Sequence, residues 1–334
     1  MSDGFSGKGK LVLNSSRGRT DVNMFKNLEA NSARGLLDIF RWQFGLLPEE
    51  PGYITDNSLP EFQPQVSSAN LDKAPDFSRI TLTWIGHSTF LIQHRGRTIL
   101  TDPIFGNCGP VPLRRLRRTV PPGVPLEALP LVDDVLISHS HYDHLDAPTI
   151  QRLGSRPNYW TPSALSTWFE RRGMKRCRDL AWWETAKLAD DLELHCVPAQ
   201  HFSGRSPFDR NHTHWCGWVL RSGSRTIYFA GDTGFCSAFK EIGARFGGFD
   251  LAMIPIGAYR PRWIMQPVHV DPFEAVQIHL DVQSRQSVAC HWGTFRLTDE
   301  PLNEPPVVLQ MALAKHHVPS EQFRVLRFGE SIVM

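Results

Sequence analysis

Short apolar runs separated by turn residues begin at Ile80 and continue to the C-terminus, and nothing before that point has the same rhythm. ITLTWIG, STFLIQH and RTILTDPIF, within residues 80–105, read as three successive strands, the last two joined through Arg95 and Gly96. Val135-Leu136-Ile137 reads as a short, fully buried strand. LELHCVP, GWVLRS with its turn at Gly223, and TIYFAGD add three more strands, and DLAMIPIG and SVACHWG two further ones. Between them the period lengthens to that of helices: APTIQRLG closed by Gly154, PSALSTWFERRG with Thr161 ahead of Pro162 at its start, SAFKEIGARFG, DPFEAVQIHLDV and PPVVLQMALAKHH. In DPFEAVQIHLDV, Asp271 supplies the cap, Pro272 the first helical position and Glu274 the capping-box partner. RVLRFGESIVM reads as a closing pair of strands. No internal repeat of fixed period is visible. Strands that come first in meanders and then alternate with helices predict an α/β fold of two packed sheets with helices outside.

Residues 1–78 form an N-terminal extension to a main domain at 79–334. The extension is polar and proline-bearing, as in LPEFQPQVSSANLDKAPDF, except for RGLLDIFRWQFGLL. There Leu36, Leu37, Ile39, Phe40, Trp42, Phe44 and Leu46 make a helix apolar on more than one side. Such a helix belongs in a core, at a subunit contact in a homodimer, or on a membrane surface as a peripheral contact.

Composition narrows the setting. The 334 residues are 41% apolar with ten tryptophans, enough for a large core. The net charge is +2 from 36 basic and 34 acidic side chains, so no global field points to nucleic acid. The one dense basic run is RRLRR, Arg114 to Arg118, a solvated loop or a contact for anionic headgroups. The six cysteines lie far apart with no CxxC pair, which fits free thiols in a reducing compartment. No run reaches the roughly 18 uncharged apolar residues of a membrane span, and MSDGFSGKGKLVLNSS has no apolar core of signal-peptide length. The expected location is cytoplasmic, or peripheral at a membrane.

The chemistry concentrates in VLISHSHYDHLDA, where His139, His141, Asp143 and His144 fall within six residues. Burying imidazoles and carboxylates together is costly unless something binds them, and a metal is the first suspect. Alternation along an extended chain aims His139 and His141 the same way, towards one ion; Asp143 and His144, past the strand end, can face a second. A catalytic zinc takes about four ligands with one position open, so further donors are needed. Asp102, His201, Asp232 and His291 each sit at a strand end. Singly, each could be a turn cap or a carbonyl-bonded histidine. Together and in this order those plainer roles become hard to sustain.

HxHxDH followed by a distal histidine, an aspartate and a last histidine resembles the metallo-β-lactamase fold superfamily, whose fold is an αββα sandwich. The resemblance implies a first metal held by His139, His141 and His201, a second by Asp143, His144 and His291, and Asp232 bridging. Asp102 would orient the histidine loop from behind, with His87 packed beside it. A donor set of imidazole and carboxylate without thiolate suits two Zn²⁺ ions, with Mn²⁺ or Fe²⁺ as alternatives. Two such ions imply hydrolysis through a bridging hydroxide. Di-iron redox members carry a carboxylate where this chain has His141, which argues against oxygen or nitric oxide reduction.

Longer phrases resemble one branch, the N-acylphosphatidylethanolamine-hydrolysing phospholipases D and their bacterial relatives: TWIGHST, TDPIF, ISHSHYDHLD, WWE, PAQH, YFAGDTGFCSAF, FDLAMIPIGAYRPRW, HVDPFEAV and HWGTF. They cover Thr83 to about Glu330. The implied activity is a phosphodiesterase cutting a glycerophospholipid on the headgroup side, with a phospholipid or other phosphodiester as partner. FSGRSPFDRN and NCGPVPLRRLRRTVPPG depart from the pattern and would set substrate choice. The alternative is a hydrolase of a soluble lactone, cyclic phosphate or small phosphodiester; a non-catalytic scaffold is disfavoured by the intact ligand set. Beside Asp143 and Asp232, Arg205 and His269 are the groups expected to meet the phosphate, His269 because it precedes a capped helix. Tyr142 and Tyr259 are pocket or packing residues, and His195, His212 and His214 read as core or surface histidines.

Overall fold

The computed structural model describes residues 24–30, 36–46, 50–54, 59, 61–67, 71, 78–110, 113, 116–223 and 225–334. Arg114, Arg115 and the first 23 residues lie outside that set, as do Leu47 and the side chains of Ile39 and Phe40.

Among the described residues, fourteen strands form two seven-stranded sheets. The first begins with the predicted meander, β1 (Ile80–Gly86), β2 (Thr89–His94) and β3 (Arg97–Thr101), paired antiparallel. It continues in parallel through β4 (Asp134–Leu136), β5 (Asn158–Pro162) and β6 (Cys177–Leu180). The second sheet runs antiparallel from β7 (Thr185–Ala189) through β8 (Leu192–Val197) and β9 (Gly217–Ser222) to β10 (Arg225–Phe229). It then turns parallel through β11 (Leu251–Pro255), β12 (Ser287–Cys290) and β13 (Phe323–Arg324). The last strand, β14 (Ser331–Val333), returns to pair with β1.

The chain's final strands therefore do not pair with each other, as the closing run suggested; β13 and β14 lie on different sheets and tie the two together. Pro162 ends β5 instead of opening a helix, and the helix after it is only α3 (Ser166–Glu170). The proline signal was real, but its fixed φ suits a strand end as well as a helix start.

One apolar layer lies between the sheets, with Trp84, Phe90 and Leu136 meeting Trp218, Phe229 and Met253. Two more lie outside. Helices α4 (Ala238–Phe246), α6 (Pro272–Asp281) and α7 (Glu304–His316) cover the second sheet through Phe239, Ile278 and Leu309. Helices α2 (Ala147–Leu153) and α3 cover the first through Ile150 and Phe169. This helix–sheet–sheet–helix layering is the expected sandwich. Helix α6 forms with the predicted capping box: Asp271 accepts from Glu274 N, and Glu274 accepts from Asp271 N. Helix α5 (Arg262–Met265) is a single turn beside the site.

The apolar run of the extension folds as α1 (Leu36–Gln43), shorter than its hydrophobic pattern. Leu37, Phe44 and Leu46 remain more than 60% exposed. The described extension lies against the main domain. Trp42 Nε1 donates to Asp299 at 2.7 Å, and Val66 bridges Phe328. Among the described residues no helix is long and apolar enough to cross a membrane, and all six cysteines are free.

Candidate metal centre

Strand ends bring the chemistry to one rim of the sandwich. Asp102 follows β3, the HxHxDH loop follows β4, His201 lies past β8, Asp232 past β10, and His291 comes directly after β12. His139 and His141 lie in a loop and not in an extended strand, yet they converge as predicted, with His139 Nε2 2.8 Å from His141 Nδ1. His201 Nε2 stands 3.3 Å from the same His141 nitrogen. On the other side His144 Nε2 and His291 Nε2 each approach Asp143 Oδ2 at 3.4 Å.

Asp232 Oδ2 stands between the two groups, at 3.1 Å from His144, 3.0 Å from His291, 3.8 Å from His201 and 4.0 Å from His139. His269 Nδ1 is also 4.0 Å away. His87 was expected only to pack nearby, but its Nε2 lies 3.0 Å from Asp143 Oδ2, so it joins the group of Asp143, His144 and His291.

The far side of three of these rings is held. His144 Nδ1 bonds Asp102 at 2.7 Å, His139 Nδ1 bonds Ser138 Oγ at 2.9 Å, and His201 Nδ1 donates to the Val268 carbonyl at 2.8 Å. Asp102 itself accepts from Ser138 N and Ser138 Oγ. Fixing one ring nitrogen from outside leaves the other bare towards the centre, the arrangement that orients metal-binding imidazoles. Inside, His144 Nε2, both ring nitrogens of His291, His269 Nδ1 and Asp232 Oδ1 are buried without hydrogen bonds. That many buried polar atoms left without partners in one place is expensive unless a cation is bound. A nitrogen and oxygen donor set free of thiolate fits divalent zinc, manganese or iron.

Electrostatics agree. Burial opposes charge on Asp143 and Asp232, but the surrounding imidazoles, His144 foremost, hold both carboxyls well below the usual range. Burial also opposes charge on His144 and His291. The carboxylates, with Asp232 foremost, outweigh it, raising His144 well above its ordinary value and His291 to about 9. Burial pulls His201 and His87 down to about 3 and His141 to about 4, so these stay neutral and able to ligate. The two carboxylates demand positive charge at the centre, which divalent ions supply.

Backbone strain marks the same place. His87, Asp102 and His291 all have positive φ, at 54°, 34° and 61°. Each such non-glycine costs on the order of 1–3 kcal/mol. Gly231 and Gly257 permit the close approach: a Cβ on Gly231 would meet Ser138 Cβ at 2.7 Å, and one on Gly257 the His291 carbonyl oxygen at 2.1 Å.

A cavity of about 240 Å³ opens over His141, Asp143, Asp232, His269 and His291. One wall is apolar, with Ala258, Ile264, Met265, Val268 and Leu297, and Trp42 of α1 contributes to it. Arg205 is not there. Its Nη1 donates to the Ser140 and Leu145 carbonyls at 2.8 and 2.7 Å, and its guanidinium stacks 4.0 Å over Tyr142, beside a different cavity. It fastens the metal loop from behind, and the expected phosphate contact is corrected accordingly. Tyr259 is packing, bonded to Glu304, and His214 is a core histidine stacked between Phe25 and Trp182.

Two contributors had no sequence signal recognised in advance. Asn27 in the extension bonds both the N–H and the C=O of His201, at 3.0 and 2.9 Å. Arg210 is the cation that lines the cavity, five residues beyond Arg205.

Comparison with known proteins agrees with this geometry. Residues 97–292 match the model of the Beta-lactamase superfamily domain. The chain belongs to the β-lactamase superfamily. Within it the chain is similar to an uncharacterized protein of Mycobacterium tuberculosis, 42% identical over 251 residues, covering 73% of this chain and 66% of that one. The chain therefore spans just under two thirds of the mycobacterial relative's length. It is also similar to N-acyl-phosphatidylethanolamine-hydrolyzing phospholipase D 1 of Caenorhabditis elegans, 36% identical over 298 residues, covering 83% and 81%. The fold matches that of Igni18, a metallo hydrolase from Ignicoccus hospitalis, with TM-score 0.60 and 23% identity over 77% of this chain and 98% of the other. A chain of this superfamily with such a clustered histidine and carboxylate set has the donors that a metal-dependent hydrolase needs.

Proposed function

We propose that this superfamily member is a di-zinc phosphodiesterase of phospholipase D type, cutting a glycerophospholipid such as N-acylphosphatidylethanolamine on its headgroup side. The observation that carries the reading is Asp232 Oδ2, set within 4.0 Å of histidines from both groups, under a cavity with one apolar wall. His139, His141 and His201 would hold one ion and Asp143, His144 and His291 the other, with Asp232 shared and His87 supporting Asp143. Divalent ions held there would supply a water of lowered pKa and a Lewis acid for a phosphoryl oxygen. His269 lines the cavity and would be the protein group that bonds the phosphate. Val268, Met265 and Ile264 exclude water beside it and suit the glyceride portion. The exposed Leu37, Phe44 and Leu46 of the α1 region would take acyl chains or a micelle surface, a peripheral contact near Trp42 at the cavity. The phospholipase D similarity of the nematode relative supports the same substrate class.

The cavity's modest size favours a second reading, a soluble lactone, cyclic phosphate or small phosphodiester. Incubating the zinc-loaded protein with phosphatidylethanolamine and its N-acyl form in micelles, and identifying products by mass, separates the two. Phosphatidic acid with ethanolamine or its N-acyl amide is the expected outcome. A neutral lactone hydrolysed faster than every phosphodiester would overturn it.

A further inference from the structure

We propose that Arg210 is a specificity determinant that receives a second anionic group of the substrate, a carboxylate or phosphate set apart from the scissile bond. The inference rests on the phosphodiesterase reading of the same cavity and adds that phosphodiesters carrying a second anion are favoured over those, such as N-acylphosphatidylethanolamine, whose only anion is the scissile phosphate.

Arg210 lines the cavity, and it is the arginine among the described lining residues. Its guanidinium carbon lies 4.4 Å from the centroid of Phe202, and Phe202 in turn packs edge-on at 4.4 Å against His141. One aromatic ring thus separates the guanidinium from a metal-binding imidazole. That spacing is too long for a direct bond to an oxygen held at the metals, and it suits a charged group a few bonds further along the substrate.

Among the described residues no carboxylate pairs with Arg210, although carboxylates answer most other semi-buried arginines here: Asp134 answers Arg97, Glu304 answers Arg260, and Asp271 and Glu274 answer Arg262. Burial alone lowers its pKa, with no neighbouring acid acting against it. A half-buried guanidinium beside a reactive cavity without a counter-charge is an electrostatic cost that an anionic ligand removes.

The loop that presents it is braced. Asn211 N donates to the Ser203 carbonyl at 2.9 Å and Asn211 Oδ1 accepts from Ser203 N at 3.2 Å, closing the ends. Asp209 Oδ1 accepts from Arg205 N, Ser206 N and Ser206 Oγ inside it. Phe25 N donates to the Asn211 carbonyl from the extension. The guanidinium is thereby held by a fixed backbone, as specificity groups need to be.

The test uses full-length, zinc-loaded protein and two p-nitrophenyl alkyl phosphodiesters that differ only in a terminal carboxylate on the alkyl arm. Wild type is expected to favour the carboxylate substrate, and Arg210→Ala to lower kcat/KM for it by about 10- to 100-fold through KM, the scale of one charge-assisted bond. The substrate without the carboxylate should change less than about threefold, and Arg210→Lys should recover part of the preference. Equal losses on both substrates, or none on either, would overturn the assignment. Calorimetric binding of 3-phosphoglycerate against ethyl phosphate provides a readout free of turnover. If wild type cleaves neither diester, the phosphodiesterase reading fails, while a preference for 3-phosphoglycerate lost in Arg210→Ala still upholds Arg210; equal binding of both by wild type would refute it.

Discussion

Asp232 Oδ2 is the atom on which two groups of imidazoles converge, so its charge is the quantity to remove. Asp232→Asn keeps the shape and deletes the charge. The expected result, read by elemental analysis and circular dichroism, is loss of bound metal and turnover with the fold retained. Near-wild-type metal content would remove Asp232 from the centre. Asn27 acts one step back, through the His201 backbone. Asn27→Ala should weaken zinc affinity by about 10- to 100-fold in a chelator competition, as losses of ligand-orienting partners do. A lower melting temperature with unchanged zinc affinity would mean that Asn27 only glues the extension down. Arg205 makes the opposite prediction from the one its sequence position invited. Arg205→Ala leaves the Ser140 and Leu145 carbonyls without their donor, which should cost about 2 to 4 kcal/mol of folding stability measured by urea. Its spacing of four residues from His201 gave no clue to which way the side chain turns, because the braced loop reverses it.

At the scale of elements, the capped helix α6 and the meander β1–β3 were legible because their signals are local: a capping box, a period of two, a turn at Arg95-Gly96. Strands β5, β6 and β7 were not, since NYWTP, CRDL and TAKLA are short and partly polar and owe their state to pairing with neighbours distant in sequence. The candidate ligands were legible as a convergent set because strand ends collect at one rim, whereas Asn27 and Arg210 lie in irregular chain with no period to flag them. Helix α1 combines both cases, being recognisable as apolar but not assignable to a partner from sequence. Leu37 and Phe44, 61% and 66% exposed, can be replaced without opening the core. The double change Leu37→Ser with Phe44→Ser should reduce turnover of micellar phospholipid several-fold and spare a soluble phosphodiester. Equal loss on both would assign the helix to folding or to a subunit contact.

The whole molecule is a sandwich whose two sheets each contribute candidate ligands to one centre: the HxHxDH loop from the first, His201, Asp232 and His291 from the second. Trp218 of the second sheet donates to the Ile137 carbonyl at 3.0 Å, just ahead of that loop, so packing between the sheets sets the spacing of the metal groups. A centre built across two sheets exists only in the folded protein, and metal binding should therefore raise the melting temperature. The account stands most directly on a titration of metal-stripped protein with zinc while hydrolysis of bis-p-nitrophenyl phosphate is followed. It predicts no turnover without metal and a rate that climbs to a plateau at two equivalents; undiminished turnover in the presence of a chelator, or a plateau reached at one equivalent, would contradict it.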